Sequence, residues 1–575
     1  MTRKQFLSLL ATATLKAQST GKPVNDDDHG MKMSGVNGAT DHMMAAPAAA
    51  PMASPLQAVT TRSGGNLRHG TYLKETRLTP GVVAGGLRKL FTMRMAGDRL
   101  GMEAQPLFMP AVKLQNGSSR DLCICCTMAN VVYAFDAGTG VQVWKRSLGK
   151  PINGTMAIDR WEINDHWGIL STGVLDNGML YCLAWVSADG SVQKAKHIFF
   201  EVKLSNGAVG RSLQIPDGAM VRKQRAALTF TKVNGKRTVF VPWGTVLETS
   251  QGAHGFITAI DIDNWKIAAE WTATPTGTGS GIWMAGQGLS ESGDFYLLTG
   301  NGTFGNGNFG ESFLRLRYDN GNFSVVDWWS PWMDSQRPGA WDDMDLGAGA
   351  PIYIPEFGLM VGAGKDGILY VLDANAMGKT TTADFGNPQA NYSKLKKPPL
   401  WFTFFPGFGV NAAPNNIGDL DRLFFGRTHH QHGSPIYWNQ KLYCWGENSN
   451  LRAFSINSNG QVSFLARSEE VSSPFAPVPP GGMPGGMMCL SANGNTEGVL
   501  WACVPDEDAN QKVSNGRVFA FDANDFSNAL PDGDHKLKRI WMSDTYVYNK
   551  FNVPVVNGGR FYVPTYSGTV DVFGV

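Results

Sequence analysis

The feature that most constrains this chain is a pattern that returns along most of its length: a short apolar strand, a glycine or asparagine turn, then another strand. It is read in "VVYAFDAGTGVQVWKRSLG" at 131, "HGFITAIDIDNWKIAAEW" at 254, "DGILYVLDANAMG" at 366, "NLRAFSINSNGQVSF" at 450 and "GRVFAFDANDF" at 516. Weaker copies stand at 178 ("GMLYCLAWVSADGSVQ"), 311 ("ESFLRLRYDNGNFSVVDWW") and 568 ("GTVDVFGV"), which makes eight. The first and last aligned positions, Tyr133 and Val570, are 437 residues apart over seven intervals, or about 62 per unit. A small antiparallel sheet of that size cannot bury both faces alone, so such units stack radially and seal each other's apolar faces. The expected fold is all-β: an eight-bladed β-propeller of four-stranded antiparallel blades.

A ring must also close, or its first and last units expose strand edges. The C-terminal end offers three strands, "NVPVV", "RFYVPTY" and "TVDVFGV", and no fourth. An orphan strand at 86–97, "GLRKLFTMRMAG", precedes the first full unit and is expected to complete the C-terminal blade.

Composition agrees with many short strands: 17% charged residues, 68 glycines and 17 tryptophans in 575 residues. The formal net charge is +2 without a sustained basic stripe, so the footprint of a nucleic-acid binder is missing. The seven cysteines are an odd number, and none lies in a CxxC or CxxCH motif, which removes thioredoxin-like redox chemistry and covalent c-type haem. Cys125 and Cys126 are adjacent in "LCICCTM". Neighbouring residues of a strand point to opposite faces, so buried free thiols are the expected reading rather than a vicinal disulfide.

The segments flanking the repeats read differently. Residues 1–19, with Arg3 and Lys4 ahead of a short apolar run, resemble an export signal of the twin-arginine kind, so a periplasmic or secreted protein is expected. No later apolar stretch has the length of a membrane helix. Residues 20–66 are rich in Met, His, Ala and Pro and are expected to be a disordered tail, with the propeller occupying 67–575. The tail carries His29, Met31, Met33, His42 and Met43, thioether and imidazole ligands that suit copper, Cu(I) above all; the alternative is a low-complexity linker that happens to hold methionines. The largest insertion, 376–428, is rich in Pro, Phe and Trp and is a candidate lid.

In a propeller the innermost strand of each blade starts at one face of the channel, and the turn between the second and third strands lies on the same face. Residues at those two places converge on one funnel. The expected lining is Gln105, Gln224, Arg225, Trp283, Met284, Asp345, His430, His432, Met487 and Lys550 at strand starts, with Asn301, Lys365, Glu447 and Asn448 in the turns. In "HHQHGSPIYW", His430 and His432 are two apart and project to one side, while His429 and Gln431 face the other. Two imidazoles make half a metal site, and no HxxxH or nearby carboxylate completes it; funnel lining and hydrogen-bonded structural histidines are the other readings.

The repeats "VVYAFDAGTGVQVWK" and "GRVFAFDAND" resemble those of pyrroloquinoline-quinone (PQQ) propeller proteins, in which a turn and a tryptophan link the outer strands of successive blades. With "QPLFMP", "RAAL", "GIWMAGQG", "TGNGTFG", "DLGAG" and "HGSPIYW", residues 65–575 resemble an exported bacterial family of PQQ-like repeat proteins with a quinoprotein-dehydrogenase-like fold. The resemblance implies PQQ with Ca2+ as a candidate cofactor. PQQ-dependent alcohol dehydrogenases hold the quinone between a tryptophan and a vicinal disulfide, with calcium on Glu and Asn and an Asp as base. Trp283, Glu447, Asn301 and Asp345 are of the right types, although their order and local motifs depart from that arrangement.

The favoured reading is a small polar or anionic ligand held in the funnel near Arg225, Lys365 and Lys550, with Asp345 and His432 as candidate catalytic groups. Salt bridges from these cations to Asp345 and Glu447 are the plain alternative. An oxidoreductase using PQQ on an alcohol or sugar is the second functional reading. A protein-interaction scaffold resembling the propeller of outer-membrane assembly factors is the third.

Overall fold

A computed structural model describes residues 54–95, 101–154, 165–216, 221–246, 252–331, 345–379, 400–404, 429–474, 482–510 and 512–575. The expected signal, residues 20–53 of the tail with the candidate copper ligands His29, Met31, Met33, His42 and Met43, and most of the 376–428 insertion lie outside these residues. No helix of the described residues is long and apolar enough to cross a membrane.

The strands assemble into eight antiparallel sheets of four principal strands each, the blades of a propeller. Their first strands are Leu107–Lys113, Val174–Asp176, Thr229–Val233, Ser290–Ser292, Ile352–Ile354, Ile436–Trp438, Met487–Asn493 and Val555–Asn557, which number blades 1 to 8. Blade 8 takes three strands from residues 555–574 and its fourth from Arg88–Arg94, which pairs antiparallel with Thr569–Gly574. One of the eight repeats is displaced from its expected place. The copy at 178 is the second strand of blade 2, Met179–Ser187, whereas the strong copies at 131 and 254 are third strands. Its apolar run "MLYCLAW" drew the alignment because burial on both faces looks the same in either central strand.

Strand alternation builds the core. In blade 1 the second strand sends Leu122, Ile124 and Cys126 into a cluster with Leu180, Cys182 and Phe200 of blade 2. Cys123 and Cys125, pointing the opposite way, meet Tyr562, Val570 and Val572 of blade 8. Six further clusters of the same kind fill the other interfaces, one between each pair of successive blades. Outer strands are linked as the repeat implied: Trp144 Nε1 of blade 1 donates to Leu204 O of blade 2 at 2.8 Å, and its ring lies on Gly207. Gly207 has φ +70, and a Cβ there would sit 2.5 Å from the indole, so both backbone and contact require glycine. All seven cysteines are free and buried.

The segment before blade 1 departs from expectation. Residues 54–66, assigned to the tail by their small, polar composition, pack against the propeller with Leu56, Val59, Arg62 and Ser63 buried. The segment through residue 75 meets every blade in turn. Gln57 exchanges two bonds with Asn557 of blade 8, each 2.8 Å. Val59 pairs with Phe108 of blade 1, and Thr60 O accepts from Leu175 of blade 2. Asn66 bonds Phe230 O of blade 3 and Glu291 of blade 4. His69 reaches Tyr353 O of blade 5 and accepts from Tyr437 N of blade 6. Thr71–Tyr72 runs parallel to Leu490 and Ser491 of blade 7, and Glu75 takes Gly559 N of blade 8. Because its partners are first strands and the backbone beside them, the segment is a plug along the axis. Its composition hid this: a plug satisfies its backbone through its neighbours' free edges and needs little apolar area of its own.

Candidate functional site

The residues that immediately precede the first strands gather where the tip of the plug, Arg62 and Ser63, meets the blades. Arg225, ahead of the first strand of blade 3, places its Nε 3.2 Å from Glu103 Oε2, and Lys550, ahead of blade 8, has its Nζ 3.8 Å from Glu103 Oε1. Lys550 also donates to Asn510 Oδ1 at 2.8 Å. Phe551 lies between the two cations, 4.6 Å from the Arg225 guanidinium and 5.3 Å from the Lys550 ammonium. Trp283 is 5.9 Å from Arg225 and 6.0 Å from Lys223, which itself stands 4.0 Å over Trp167. Gln224 donates to Gly168 O at 2.8 Å, while its Oε1 is buried with no partner.

A second group comes from blades 4, 5 and 6. Asp345 accepts from Lys365 Nζ at 2.9 Å and from the backbone N–H of Asn301 at 2.8 Å. Glu447, in the turn of blade 6, lies 2.6 Å from His432 Nδ1 and 3.7 Å from His430 Nδ1, so the two histidines do share a side. His429 turns away and its Nδ1 bonds Glu447 O at 2.7 Å. Burial drops the His429 ring to about 4 against that bond's opposing pull. The His432–Glu447 approach is close but off the axis a hydrogen bond needs, and His432 Nδ1 and Glu447 Oε1 have no hydrogen-bond partner. A cavity of about 10 Å³, room for one water, lies between His432, Ser434, Met284, Gln287 and Arg62.

The two groups share one electrostatic environment. Burial pushes His432 well below its ordinary value, and Lys365, His430, Arg225 and Lys550 push the same way. Burial raises the Glu447 carboxyl well above the carboxylate range, Asp508 adds to this, and Lys365 opposes it. Burial thus favours the uncharged form of both members of the contact.

That arrangement gives a signed expectation. Glu447 binds its proton more tightly folded than unfolded, so its contribution is lost as pH rises from about 4.5 through its raised value. His432 acts in the other direction, but only below its unfolded value near 6.5. Above pH 6.5, Glu447→Gln is expected to be more stable than the wild type. The gap should widen by about 1.4 kcal/mol per pH unit while the buried acid stays protonated. Urea unfolding of the two proteins from pH 6.5 to 9 measures it, and parallel curves would refute it.

Sequence reasoning missed Glu103, the acid that ties Arg225 to Lys550, although it stands only two residues before Gln105 in the lead-in to the first strand of blade 1. It also missed Arg62, hidden in the tail assignment. Gln105, expected in the funnel, turns its amide toward the plug and accepts from Ser63 N at 3.0 Å. Glu447 supplies the carboxylate beside the histidines that local spacing did not show. Even so, no cluster of three or more His, Cys, Asp or Glu among the described residues could hold a metal ion.

No family model matches this chain, and no curated protein matches it by sequence. Solved structures do. The chain is similar to the quinohemoprotein alcohol dehydrogenase ADHIIG of Pseudomonas putida HK5, at 14% identity and TM-score 0.54 over 90% of this chain and 80% of that one. The quinohemoprotein alcohol dehydrogenase of Comamonas testosteroni gives 14% and 0.53 over the same shares. A europium-containing methanol dehydrogenase gives 12% and 0.56 over 90% of this chain and 98% of that one. At these identities the likeness concerns the propeller fold.

Proposed function

We propose that the cluster where plug and blades meet binds a small, oxygen-rich anion. One observation carries this: blades 3, 5 and 8 each bring a cation, Arg225, Lys365 and Lys550, around His432, beside buried polar atoms of Gln224, His432 and Glu447 that have no hydrogen-bond partner. Nature seldom leaves such atoms unmatched, and a ligand bearing carboxylates and hydroxyls or carbonyls would match them. Isothermal titration with citrate and with PQQ tests the reading. One equivalent should bind, with affinity falling on added salt and about tenfold or more in Arg225→Gln. Absence of binding by either probe, or an unaltered affinity in the variant, would reject it.

The second reading, a PQQ-dependent dehydrogenase, draws on the fold likeness, and PQQ bound here would supply an electron-accepting quinone. Arg225, Lys365 and Lys550 suit its carboxylates. The calcium partner does not fit as well: the Asp345 carboxylate is engaged by Lys365 and Asn301, and burial favours the protonated form of Glu447. Nor do Cys125 and Cys126 cover the site, since they are buried on opposite faces of blade 1. Dye reduction with an alcohol or sugar after adding PQQ and calcium separates an enzyme from a binder. A scaffold that uses only rim loops would show neither activity nor Arg225-dependent binding.

The Met/His tail is proposed as a separate copper-handling segment on its ligand types, in a protein expected to be exported. Because Leu56 and Val59 belong to the packed plug, the deletion that tests it is residues 20–53. Copper bound per chain after Cu(I) loading should fall to background in the deleted protein. Undiminished uptake would dismiss the tail as a copper site.

A further inference from the structure

Between the plug and blade 8 the chain runs over the rim of the ring. Residues 73–77 lie at the end of the propeller that carries the turns between first and second strands: Lys74 bridges to Asn493 at that turn of blade 7, and Glu75 takes Gly559 N in that turn of blade 8. The short helix Pro80–Ala84 then packs on the outer strand of blade 7, Arg539–Met542, and Leu78 and Val83 enter the cluster between blades 7 and 8. Arg88 opens the outer strand of blade 8 opposite Gly574, one residue past the Phe561–Phe573 pair and so at the same end as the Gly559 turn. Lys550 and the rest of the ligand cluster precede the first strands and therefore lie toward the opposite end.

What this segment leaves in water is one-sided. Lys74, Arg77, Arg88 and Lys89 are exposed, whereas Glu75, the one carboxylate in residues 73–90, is buried and spent on backbone. Its Oε1 accepts from Arg77 N at 2.7 Å and Leu78 N at 3.0 Å, and its Oε2 from Gly559 N at 3.1 Å. Lys89 holds Asp571 at 2.7 Å, but Lys74, Arg77 and Arg88 form no ion pair among the described residues. Glu497, exposed in the adjoining turn of blade 7, subtracts one charge and leaves the surface cationic. Among these cations stand apolar side chains: Leu73 at 44%, Val82 at 38% and Met542 at 42% exposure. One such residue is ordinary on any surface, but three beside unneutralised cations mark a contact face. Val82 is flanked by exposed Gly81, Ala84, Gly85 and Gly86, so no bulky neighbour keeps it from a flat surface. Short apolar tips with long cationic side chains around them suit lipid, where the tips enter the acyl boundary and the cations reach phosphates.

We propose that residues 73–89 dock the rim of blades 7 and 8 on a membrane surface of anionic phospholipid, with Leu73 and Val82 entering below the headgroups and Lys74, Arg77 and Arg88 meeting lipid phosphates. Docked this way, the ring keeps the Arg225–Lys365–Lys550 cluster toward the end away from the lipid. The proposal does not rest on the function assigned to that cluster.

Co-sedimentation of the full chain with vesicles tests it, comparing equal parts phosphatidylglycerol and phosphatidylcholine with phosphatidylcholine alone. Binding should be confined to the anionic vesicles and fall on added salt. Each cation lost should cost about fivefold in partition, so Arg77→Gln/Arg88→Gln should bind about twentyfold more weakly. Val82→Ser should lower binding without changing its salt dependence. Lys203→Gln, which removes an exposed cation from the same end of blade 2, should leave binding unchanged. Equal binding to both vesicle types, binding to neither, or an unchanged partition in the double variant would overturn the proposal. Retention on immobilised polyglutamate without vesicle binding would also overturn it, and would assign the face to an acidic protein instead.

Discussion

A chain ending at residue 567 loses its cooperative unfolding transition. The missing residues include Thr569–Gly574, the strand that pairs with Arg560–Thr565 on one side and Arg88–Arg94 on the other. Their loss does more than fray an end. Arg88–Arg94 is left without a ladder, Asp571 no longer meets Lys89 and Thr92, and the cluster between blades 8 and 1 loses Val570 and Val572. Each of those valines is 0% exposed, and burying such a side chain contributes about 1.5–3 kcal/mol before any backbone bond is counted. Against a typical stability of about 5–15 kcal/mol, the sum is large enough to open the ring. Denaturant unfolding followed by tryptophan fluorescence should show a broad, non-cooperative change. A sharp transition at the wild-type midpoint would mean that blade 8 does not need its shared strand.

The second large effect is expected at Arg68. Replacing it with alanine removes a charge from a buried place, which by itself relieves desolvation cost. It also deletes five hydrogen bonds and leaves a cavity walled by the oxygens of Arg62, Leu228 and Leu289 and the hydroxyls of Thr61 and Thr229. The acceptors lose partners that water cannot readily replace at a site 0% exposed, and each such loss costs about 1–3 kcal/mol. The bonds that remain, Thr61 Oγ1 to Leu228 O at 3.3 Å and Thr229 Oγ1 to Leu289 O at 3.4 Å, offset part of this. A net loss of about 3 kcal/mol is expected, concentrated in the plug. Limited proteolysis should cleave Arg68→Ala within residues 54–75 well before the blades. Equal resistance of variant and wild type would show that the plug is held by its backbone contacts alone.

The blades were legible in the sequence because strand alternation and turn glycines are local signals repeated eight times. Tyr133, Phe135 and their counterparts mark third strands wherever the turn chemistry is strong, and the slip at 178 came where a doubly buried strand erased alternation. The fourth strand of blade 8 was legible for a related reason: three terminal strands without a fourth imply a donor elsewhere. The plug was not legible. Its residues lack periodicity, and what orders them is the set of hydrogen-bonding groups on eight separate strands, which no short window displays. At the site, positions relative to first strands found Arg225, His430, His432 and Lys550, and the turns between second and third strands found Lys365 and Glu447. Their pairings were not readable, since Glu103 joins Arg225 to Lys550 across 122 residues on one side and 447 on the other. Whether a buried acid is ionised depends likewise on surroundings that only the assembled ring creates.

The central claim is that cations from blades 3, 5 and 8 act together on one ligand. Difference density from crystals of the full chain soaked in PQQ or citrate tests it most directly. Density in contact with Arg225, Lys365 and Lys550 beside His432 is the predicted result. Density confined to the outer surface of the blades, with those side chains still in their present contacts, would contradict it.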